Sequence, residues 1–299
     1  MELEPGRVAV VTGAGSGIGL ALAHRFAASG LHVVLADVDE TALATAAHAV
    51  ARADVETLPV VCDVSTAASV DALAAAAIER FGAVHVVCNN AGVSSSADPW
   101  FGPLSAWDWV MGVNFWGVVH GVRAFLPHLV EQGWGHIVNT ASIAGLLPGF
   151  APSYDASKHA VVAITEGLFR DLAMSAPDIG VSVLCPGWVR TGIMDAERNW
   201  PAHLGEAPES SANSEVAMRY VRRAIDEGTT PAVIADLVAD AVVDRRFWVF
   251  PHHDFVQLCI ERWDTIAEGT DPELLRDLPG LPPVEQIVAE ALAALENPG

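Results

Sequence analysis

RVAVVTGAGSGIG, residues 7–19, is the most informative stretch of this 299-residue chain. A short apolar run ends at Thr12, a glycine-rich turn follows, and an amphipathic stretch begins at Ile18. Short apolar runs bounded by turn signals are typical of buried strands, and amphipathic periodicity is typical of helices. The stretch therefore predicts a strand, a tight turn and a helix in direct succession.

The same alternation continues along the chain. Apolar runs predict strands at residues 7–12, 32–37, 58–63, 84–89, 136–142, 181–187 and 247–252. Amphipathic segments predict helices at residues 18–29, 40–51, 67–81, 105–131 and 153–175. Strands that are apolar throughout and separated by helices favour a parallel sheet covered on both faces. We therefore expect an α/β fold with a doubly wound, mostly parallel, seven-stranded Rossmann-like sheet, helices on both faces and a helical C-terminal tail.

Two segments break the alternation. Residues 1–252 are expected to form one Rossmann-type domain, in which residues 188–228 make a long excursion of the kind that often covers a site. Residues 253–299 predict a helix, a Pro/Gly-rich turn region and a second helix, packed as an extension on the same domain. From the sequence, this extension could cover the mouth of a site, extend a subunit interface or pack on the core.

The charge balance excludes several kinds of partner. Asp and Glu total 37 against 16 Lys and Arg, a formal net charge of -21. A protein this acidic repels a phosphate backbone and an anionic membrane surface, so we expect neither nucleic acid nor membrane as a partner. The sequence contains no apolar run of the about 18 residues that would suggest a membrane span, and it begins without a signal-peptide pattern. A cytoplasmic location is therefore expected.

Cysteine and histidine spacing predicts no metal site. The four cysteines show no CxxC pattern, and Cys62, Cys88 and Cys185 end apolar runs, which is typical of buried core residues. His252 and His253 are adjacent, but neighbouring side chains point apart on a regular element and no third ligand is indicated. We interpret this pair as structural or exposed, and we expect neither a metal nor a disulfide.

The turn after the first predicted strand has the composition of an anion-binding loop. Gly13, Gly17 and Gly19 would let the backbone approach a diphosphate closely, and the helix that follows offers free N–H groups at its positive end. Asp37 ends the second predicted strand, where a carboxylate can accept hydrogen bonds from the ribose hydroxyls of adenosine. It would repel a 2′-phosphate, so NAD is favoured over NADP. Taken singly, an empty turn and a solvated aspartate remain alternatives.

Tyr154 and Lys158 begin the helix predicted after the fifth strand. Residues four apart share one helical face, so the phenol and the ammonium can converge. Lys158 is the only lysine of the chain and Tyr154 is one of two tyrosines. A nearby ammonium stabilises a phenolate, which would make Tyr154 a general acid/base for an alcohol and ketone pair. Ser142 ends the fifth strand and could hydrogen-bond the reacting oxygen, although such a serine is more often a turn or cap residue.

Together, these residues resemble the short-chain dehydrogenase/reductase superfamily, in its compact single-domain branch, from about Val8 to Pro251. The motifs that carry the resemblance are Gly13, Ser16, Gly17, Ile18 and Gly19 in the cofactor turn, Asp37 at the acidic position of NAD-preferring members, Asp63 and Val64 against the adenine, Asn89, Asn90, Ala91 and Gly92 beside the cofactor, and Pro186, Gly187, Val189 and Thr191 around the nicotinamide carboxamide. The resemblance implies that residues 1–252 bind the dinucleotide and carry the catalytic groups.

The resemblance also implies a catalytic tetrad of Asn114, Ser142, Tyr154 and Lys158. Tyr154 would be the acid/base, and Ser142 would polarise the substrate oxygen. Lys158 would lower the pKa of Tyr154 and hold the nicotinamide ribose. Asn114 would help to hold a water molecule of a proton relay. Family members commonly form tetramers, so a homo-oligomer, either a tetramer or a dimer, is expected.

Loops near the predicted site are rich in large apolar side chains, which suggests a bulky, uncharged secondary alcohol or ketone as the substrate. The side chains concerned are Trp100, Phe101, Leu146, Leu147, Phe150, Trp188, Met194 and Trp200. An equally weighted alternative places half of them in loop cores or subunit contacts. The expected activity is that of an NAD-dependent dehydrogenase or reductase acting on CH–OH groups. The alternatives are an NADP-dependent carbonyl reductase and a nicotinamide-binding sensor or scaffold without turnover.

Overall fold

A computed structural model of the protein describes residues 3–52, 54–149, 151–208, 212–272 and 276–296. Its strands are β1 (Val8–Thr12), β2 (His32–Asp37), β3 (Thr57–Val61), β4 (Val86–Asn89), β5 (Gly135–Thr140), β6 (Ile179–Leu184) and β7 (Trp248–Val249). Its α-helices are α1 (Gly17–Ala28), α2 (Glu40–Val50), α3 (Ala67–Phe81), α4 (Leu104–Met111), α5 (Gly117–Gln132), α6 (Pro152–Ser175), α7 (Ala212–Asp226), α8 (Pro231–Asp244), α9 (Val256–Glu268) and α10 (Val284–Glu296).

The strands form one seven-stranded sheet in the order β3-β2-β1-β4-β5-β6-β7. Every neighbouring pair runs parallel. The central strands are apolar on both faces because helices cover both faces, and β1, VAVVT, is buried along its whole length. Two apolar clusters form the core, one containing Val11, Leu22 and Leu35 and the other Val10, Val34 and Phe125. The predicted doubly wound sheet is confirmed.

The reversal of strand order lies between β1 and β4. In such sheets a ligand binds beyond the carboxyl ends of the strands at this point. The turns after β1 and β4 meet there, because Asn90 donates both from its backbone N–H to Thr12 Oγ1 at 2.9 Å and from its side-chain amide to Thr12 O at 3.0 Å.

Three predicted elements differ from the structure. The single helix expected over residues 105–131 is divided by a π-helical turn, Gly112–Trp116, between α4 and α5. The excursion at residues 188–228 contains α7 as well as short 3₁₀ turns at Ile193–Asn199 and Ala202–Leu204. The run FWVFPH at residues 247–252 is a strand only at Trp248 and Val249, where β7 pairs with the end of β6.

The C-terminal tail forms the two predicted helices, α9 and α10. Helix α10 lies against α7, and the contact includes an ion pair between Arg219 and Glu290 and a hydrogen bond from the Tyr220 hydroxyl to Glu290 at 2.6 Å. The tail therefore contacts the excursion that precedes β7. No helix within the described residues is long and apolar enough to span a membrane.

Candidate active site

A cleft of about 460 Å³ brings together most of the predicted site residues. Those that line it are Gly13, Ser16, Gly17, Ile18, Asp37, Asp63, Val64, Asn90, Ala91, Gly92, Ser142, Tyr154, Lys158, Pro186, Gly187, Val189 and Thr191. Three of the predicted residues, Gly19, Asn89 and Asn114, are buried and do not line it.

The turn after β1 is shaped by close backbone contacts. Gly13 has φ +66°, and a Cβ there would lie 2.8 Å from Ala91 Cα. A Cβ at Gly19 would lie 2.0 Å from the Gly13 carbonyl oxygen, so Gly19 lets helix α1 pack closely against the turn. Ser16 is the N-cap of α1, and its hydroxyl makes no capping hydrogen bond. The hydroxyl and the N–H groups of the first turn therefore fit a diphosphate.

Asp37 lies at the end of β2, where its carboxylate also organises the turn. Its Oδ2 accepts a hydrogen bond from Gly15 N at 2.8 Å, and its Oδ1 accepts one from Asp39 N at 3.0 Å. Each carboxylate oxygen can accept a further bond. The side chain thus has the capacity to accept hydrogen bonds from a ribose while it holds the glycine turn in place.

The segment after β3 forms the part of the cleft where the resemblance places the adenine. Asp63 Oδ1 accepts hydrogen bonds from the backbone N–H and the hydroxyl of Ser65, at 2.9 and 2.7 Å. The Val64 carbonyl lies 2.9 Å from His120 Nδ1. These bonds hold the backbone at Asp63 and Val64 in place, so both residues help to shape this wall of the cleft.

Ser142, Tyr154 and Lys158 converge at the opposite end of the cleft. Ser142 follows β5, and its Oγ lies 3.3 Å from the Pro186 carbonyl and accepts from Ala144 N at 3.2 Å. Lys158 is buried, and its Nζ donates to the Thr140 carbonyl at 2.9 Å and lies 5.5 Å from the centre of the Tyr154 ring. Tyr154 and Lys158 therefore lie on the same face of helix α6, as the sequence predicted.

Burial dominates the acid–base properties of these groups. It raises the pKa of Tyr154 to about 12, partly offset by the hydrogen bond with Ser142, and it lowers the pKa of Lys158 to about 8. The lowered Tyr154 pKa expected from the sequence is therefore absent from this arrangement, because desolvation of the phenolate, to which the Asp155 carboxylate adds, outweighs the hydrogen bond with Ser142. Burial likewise raises the pKa of Asp155, the neighbour of Tyr154, to about 6.

Asn114 lies in the π-helical turn and is fully buried. Its Oδ1 accepts from Val93 N at 2.8 Å, and its Nδ2 donates to Val93 O and to Ser157 Oγ, both at 3.0 Å. Both amide hydrogens are thus used in joining the loop after β4 to helix α6. The side chain joins these two elements behind the cleft, and the part in holding a relay water that the resemblance implies for Asn114 stays a prediction.

The Pro186–Thr191 segment follows β6 and forms the floor of the cleft. The Pro186 carbonyl accepts from Ile143 N at 2.9 Å, which joins the segment to the loop that carries Ser142. Thr191 lies against the glycine turn, because its Cγ2 would be 3.1 Å from a Cβ on Gly17. The turn, the segment and the Ser142 loop therefore form one continuous surface.

Large apolar side chains line the catalytic end of the cleft, but they are not all the predicted ones. Leu147, Trp188 and Met194 line it as expected. Trp100 and Phe101 are 72% and 93% exposed, so their predicted place beside the substrate is wrong. Trp200 packs edge-on against Trp109 at 5.0 Å, and Leu146 packs into two apolar clusters. Phe150 lies outside the described residues.

Several lining residues were not predicted, among them Trp109 in α4, Phe255 and Leu278. The last two belong to the tail, which is attached to the cleft by hydrogen bonds from Trp188 Nε1 to the Pro279 carbonyl at 2.6 Å and from Arg262 to the Leu146 carbonyl at 3.0 Å. No motif marks these residues in the sequence. For Phe255 and Leu278, the sequence indicated only that the tail is rich in apolar residues, and it did not show where the tail packs.

No cluster of His, Cys, Asp or Glu within the described part of the chain could hold a metal ion. All four cysteines are free and buried, as the sequence indicated for three of them. The polar side chains that line the cleft include the Ser142 and Tyr154 hydroxyls, the Lys158 ammonium and the Asp37 carboxylate.

Comparison with known proteins places these features in a family. Residues 7–202 match the family model described as short chain dehydrogenase. A 1-deoxy-11-beta-hydroxypentalenate dehydrogenase of Streptomyces avermitilis is 38% identical over 258 residues, covering 85% of this chain and 87% of that protein. A 2-(R)-hydroxypropyl-CoM dehydrogenase of Xanthobacter autotrophicus is 42% identical over 192 residues, covering 62% and 75%. A crystal structure of a short chain dehydrogenase/reductase from Burkholderia phymatum in complex with NAD has a TM-score of 0.89 and 43% identity, covering 93% of this chain and 100% of that one.

Proposed function

This chain belongs to the short chain dehydrogenase family and is an oxidoreductase of alcohols and ketones, and we propose that it interconverts a bulky apolar secondary alcohol and its ketone with NAD as the hydride carrier. One observation carries the proposal. Ser142, Tyr154 and Lys158 line the same cleft as the glycine turn and Asp37, so a reacting carbon and a dinucleotide would lie side by side.

The residues divide the chemistry between them. Bound NAD would supply the hydride acceptor, the C4 atom of its nicotinamide ring. Tyr154 removes the hydroxyl proton of an alcohol, or donates a proton to the oxygen of a ketone. Ser142 donates a hydrogen bond to the same oxygen, on which negative charge develops. Lys158, held by the Thr140 carbonyl beneath the Tyr154 ring, adds positive charge close to the phenolate.

The protonation state of Tyr154 favours one direction of the reaction. With a pKa of about 12, Tyr154 is a neutral phenol at pH 7 and is ready to donate a proton to a ketone. Oxidation of an alcohol needs the phenolate, which burial disfavours. We therefore propose that positive charge brought near the ring, from Lys158 and from an oxidised nicotinamide, is what makes oxidation accessible near neutrality.

NAD is preferred in this proposal because of the carboxylate of Asp37. A 2′-phosphate about 4 Å from it would be repelled by ~4 kcal/mol per unit charge pair at an effective dielectric of about 20. Asp39 also lines this end of the cleft. Among the described residues that line the cleft, the cations are Lys158 and Arg198, and Lys158 belongs to the catalytic end, so no lysine compensates the carboxylates at the adenosine end.

A bulky apolar substrate follows from the walls of the catalytic end. Trp109, Leu147, Trp188, Phe255 and Leu278 are large, and such surface favours a ligand with extensive hydrocarbon. The Streptomyces avermitilis relative is named for a hydroxypentalenate, which is in keeping with a large substrate.

We also propose that the protein assembles as a dimer or tetramer of identical chains. Helices α5 and α6 leave Val130, Phe169 and Met174 exposed to solvent, Met174 at 80%. Large exposed apolar side chains on neighbouring helices are typical of subunit interfaces.

The experiment is a screen of secondary alcohols and ketones, small and bulky, with NAD(H) and NADP(H), on the wild type and on Tyr154→Phe. We expect turnover of bulky members with NAD(H), lost in Tyr154→Phe although NADH still binds. A wild type that binds NADH and turns over none of the panel would support the non-catalytic sensor. A preference for NADP(H) would support the carbonyl reductase.

A further inference from the structure

The segment that follows β6 is braced from two directions. The Trp188 carbonyl accepts from Thr229 N at 3.1 Å, and Arg190 N donates to the Thr229 carbonyl at 3.0 Å, which makes a parallel bridge between Val189 and Thr229. From the other side, Gly187 N donates to His252 Nδ1 at 3.0 Å. The Gly187 backbone N–H thus depends on a side chain that lies 65 residues further along the chain.

The contacts of the segment after β6 with Thr229 and with His252 are called the brace below. The imidazole of His252 takes part in both sets of contacts. His252 Nε2 lies 3.0 Å from Thr229 Oγ1. Because Nδ1 accepts from a backbone N–H, the neutral ring carries its proton on Nε2 and donates it to the threonine hydroxyl; this tautomer is assigned from the hydrogen bonds. One side chain therefore fixes Gly187 and Thr229 relative to each other.

Packing leaves little freedom for Gly187. A Cβ at this position would lie 2.8 Å from Phe255 Cε2 and 3.2 Å from His252 Cγ. The His252 and Phe255 rings are arranged edge-to-face, with their centres 6.5 Å apart. The backbone of Gly187 is therefore in direct contact with both rings, and any displacement of His252 moves the floor of the cleft.

We infer that His252 is a positioning residue for the nicotinamide end of the cofactor site, because its ring holds the Pro186–Val189 segment through Gly187 and Thr229. This inference rests on the proposed function. It agrees with the interpretation of the His252–His253 pair as structural or exposed: His253 is exposed, whereas His252 is half-buried and bonded through both nitrogens.

The brace requires a neutral ring. Burial lowers the pKa of His252, and Asp254, on the same turn, acts in the opposite direction, as does the Trp188 carbonyl. The other side chains in contact with the ring, that of Thr229 from another element and that of Phe255 on the same turn, do not titrate. Protonation would place an N–H of the ring against the Gly187 N–H, two donors face to face. The brace is therefore present above the pKa of His252 and lost as the pH falls through it.

The test compares NADH with ADP-ribose, which has the diphosphate and adenosine but no nicotinamide. In His252→Phe, which removes both ring nitrogens, we expect the Kd of NADH to rise on the order of tenfold and the Kd of ADP-ribose to stay within error. In His252→Asn, whose Oδ1 can replace Nδ1 as acceptor, most of the NADH affinity should return. His253→Phe, at the exposed neighbour, is the control and should leave both Kd values unchanged.

Equal weakening of NADH and ADP-ribose in His252→Phe, or an Asn variant no better than the Phe variant, would overturn the inference. If His252→Phe does not fold, the pH dependence of the wild type decides: NADH affinity, measured relative to ADP-ribose, should fall on acidification, and less so in His252→Asn. A ratio that is flat with pH would contradict the brace. If neither ligand binds the wild type, it is the proposed function that fails.

Discussion

Tyr154 illustrates how strongly the chemistry of a single residue depends on its surroundings. The spacing to Lys158 correctly predicted that both side chains share a helical face, and both line the cleft. The spacing could not predict the pKa, because burial decides it, and the residues that pack around Tyr154, such as Val93, Trp109 and Ala196, come from distant parts of the chain. A motif identifies the groups that can react, whereas burial sets their protonation.

The raised Tyr154 pKa predicts opposite pH dependences for the two directions of the reaction. Reduction of a ketone needs the phenol, so its kcat/KM should be nearly level between pH 6 and 8 if Tyr154, with its pKa of about 12, alone controlled it. Oxidation of the alcohol needs the phenolate, so its kcat/KM should rise as the pH increases through this range. Steady-state rates in both directions across the same pH range measure this. An oxidation rate that falls as the pH rises would contradict the assignment.

Asp37 predicts a change in cofactor choice on substitution. Asp37→Asn removes the charge that repels a 2′-phosphate. It keeps one oxygen, which can accept from Gly15 N, while the bond from Asp39 N is lost. The NAD over NADP ratio of kcat/KM should fall by roughly tenfold to a hundredfold, as expected for the loss of about 1.4–2.7 kcal/mol of discrimination. Asp39→Asn is the matched control, since asparagine also caps helix α2 there.

A ratio that changes equally in Asp37→Asn and Asp39→Asn would show that the general negative charge of this end selects the cofactor. A ratio that changes in neither would remove the role given to Asp37.

At the scale of elements, the structure departs from the sequence patterns where tertiary contacts override local periodicity. The segment at residues 105–131 has continuous helical periodicity, yet the chain inserts a π-helical turn at Gly112–Trp116. The buried Asn114 amide bonds both backbone groups of Val93 from this turn, and these bonds join residues 21 apart in the sequence. No local pattern contains that information.

The tail is a second element whose place could not be read from the sequence. It contributes Phe255 and Leu278 to the cleft, and helix α10 packs on α7. An amphipathic helix needs an apolar surface to pack against, but its periodicity does not show which part of the molecule provides that surface. Of the options left open by the sequence, covering the site and packing on the core are both present in the described residues.

The position of Leu278 predicts a change in substrate range. Leu278→Ala removes apolar surface from the cleft wall and enlarges the catalytic end. We expect kcat/KM to rise for substrates too large for the wild type and to fall about tenfold or less for well-fitting ones, in line with the 1–3 kcal/mol of a lost apolar contact. Leu281→Ala, in the same loop but outside the cleft lining, is the control. Identical substrate profiles for both variants would place the tail outside the substrate site.

At the scale of the whole molecule, the doubly wound parallel sheet was predictable from the sequence, whereas its strand order was given by the structure. Apolar runs separated by helices define a parallel sheet, and the handedness of the crossovers places the ligand at its carboxyl edge. The apolar wall was predicted only in part. Trp100, Phe101 and Phe255 are all large aromatic residues, and only the tertiary structure shows that Phe255 lines the cleft and the other two do not. Exposure of Trp100 and burial of Phe255 both follow from how the loops and tail pack.

The exposed apolar side chains of helices α5 and α6 predict that identical chains associate into a dimer or tetramer. In sedimentation experiments, the wild type should have the mass of two or four chains. Phe169→Glu combined with Met174→Glu introduces charge on helix α6 and should shift the protein toward the monomer of 31.5 kDa. Val233→Glu, at a half-exposed position on α8, is the control. A wild type that sediments as a monomer at all concentrations would contradict the proposed assembly.

The most direct measurement follows the hydrogen that is transferred. A secondary alcohol accepted in the screen is labelled with deuterium at its carbinol carbon and incubated with NAD and the protein, and the NADH formed is analysed by NMR. We predict deuterium at C4 of the nicotinamide ring with the wild type, and none above background with Tyr154→Phe, which still binds NADH. NADH formed without deuterium at C4, or labelled at an unchanged rate by Tyr154→Phe, would contradict the account.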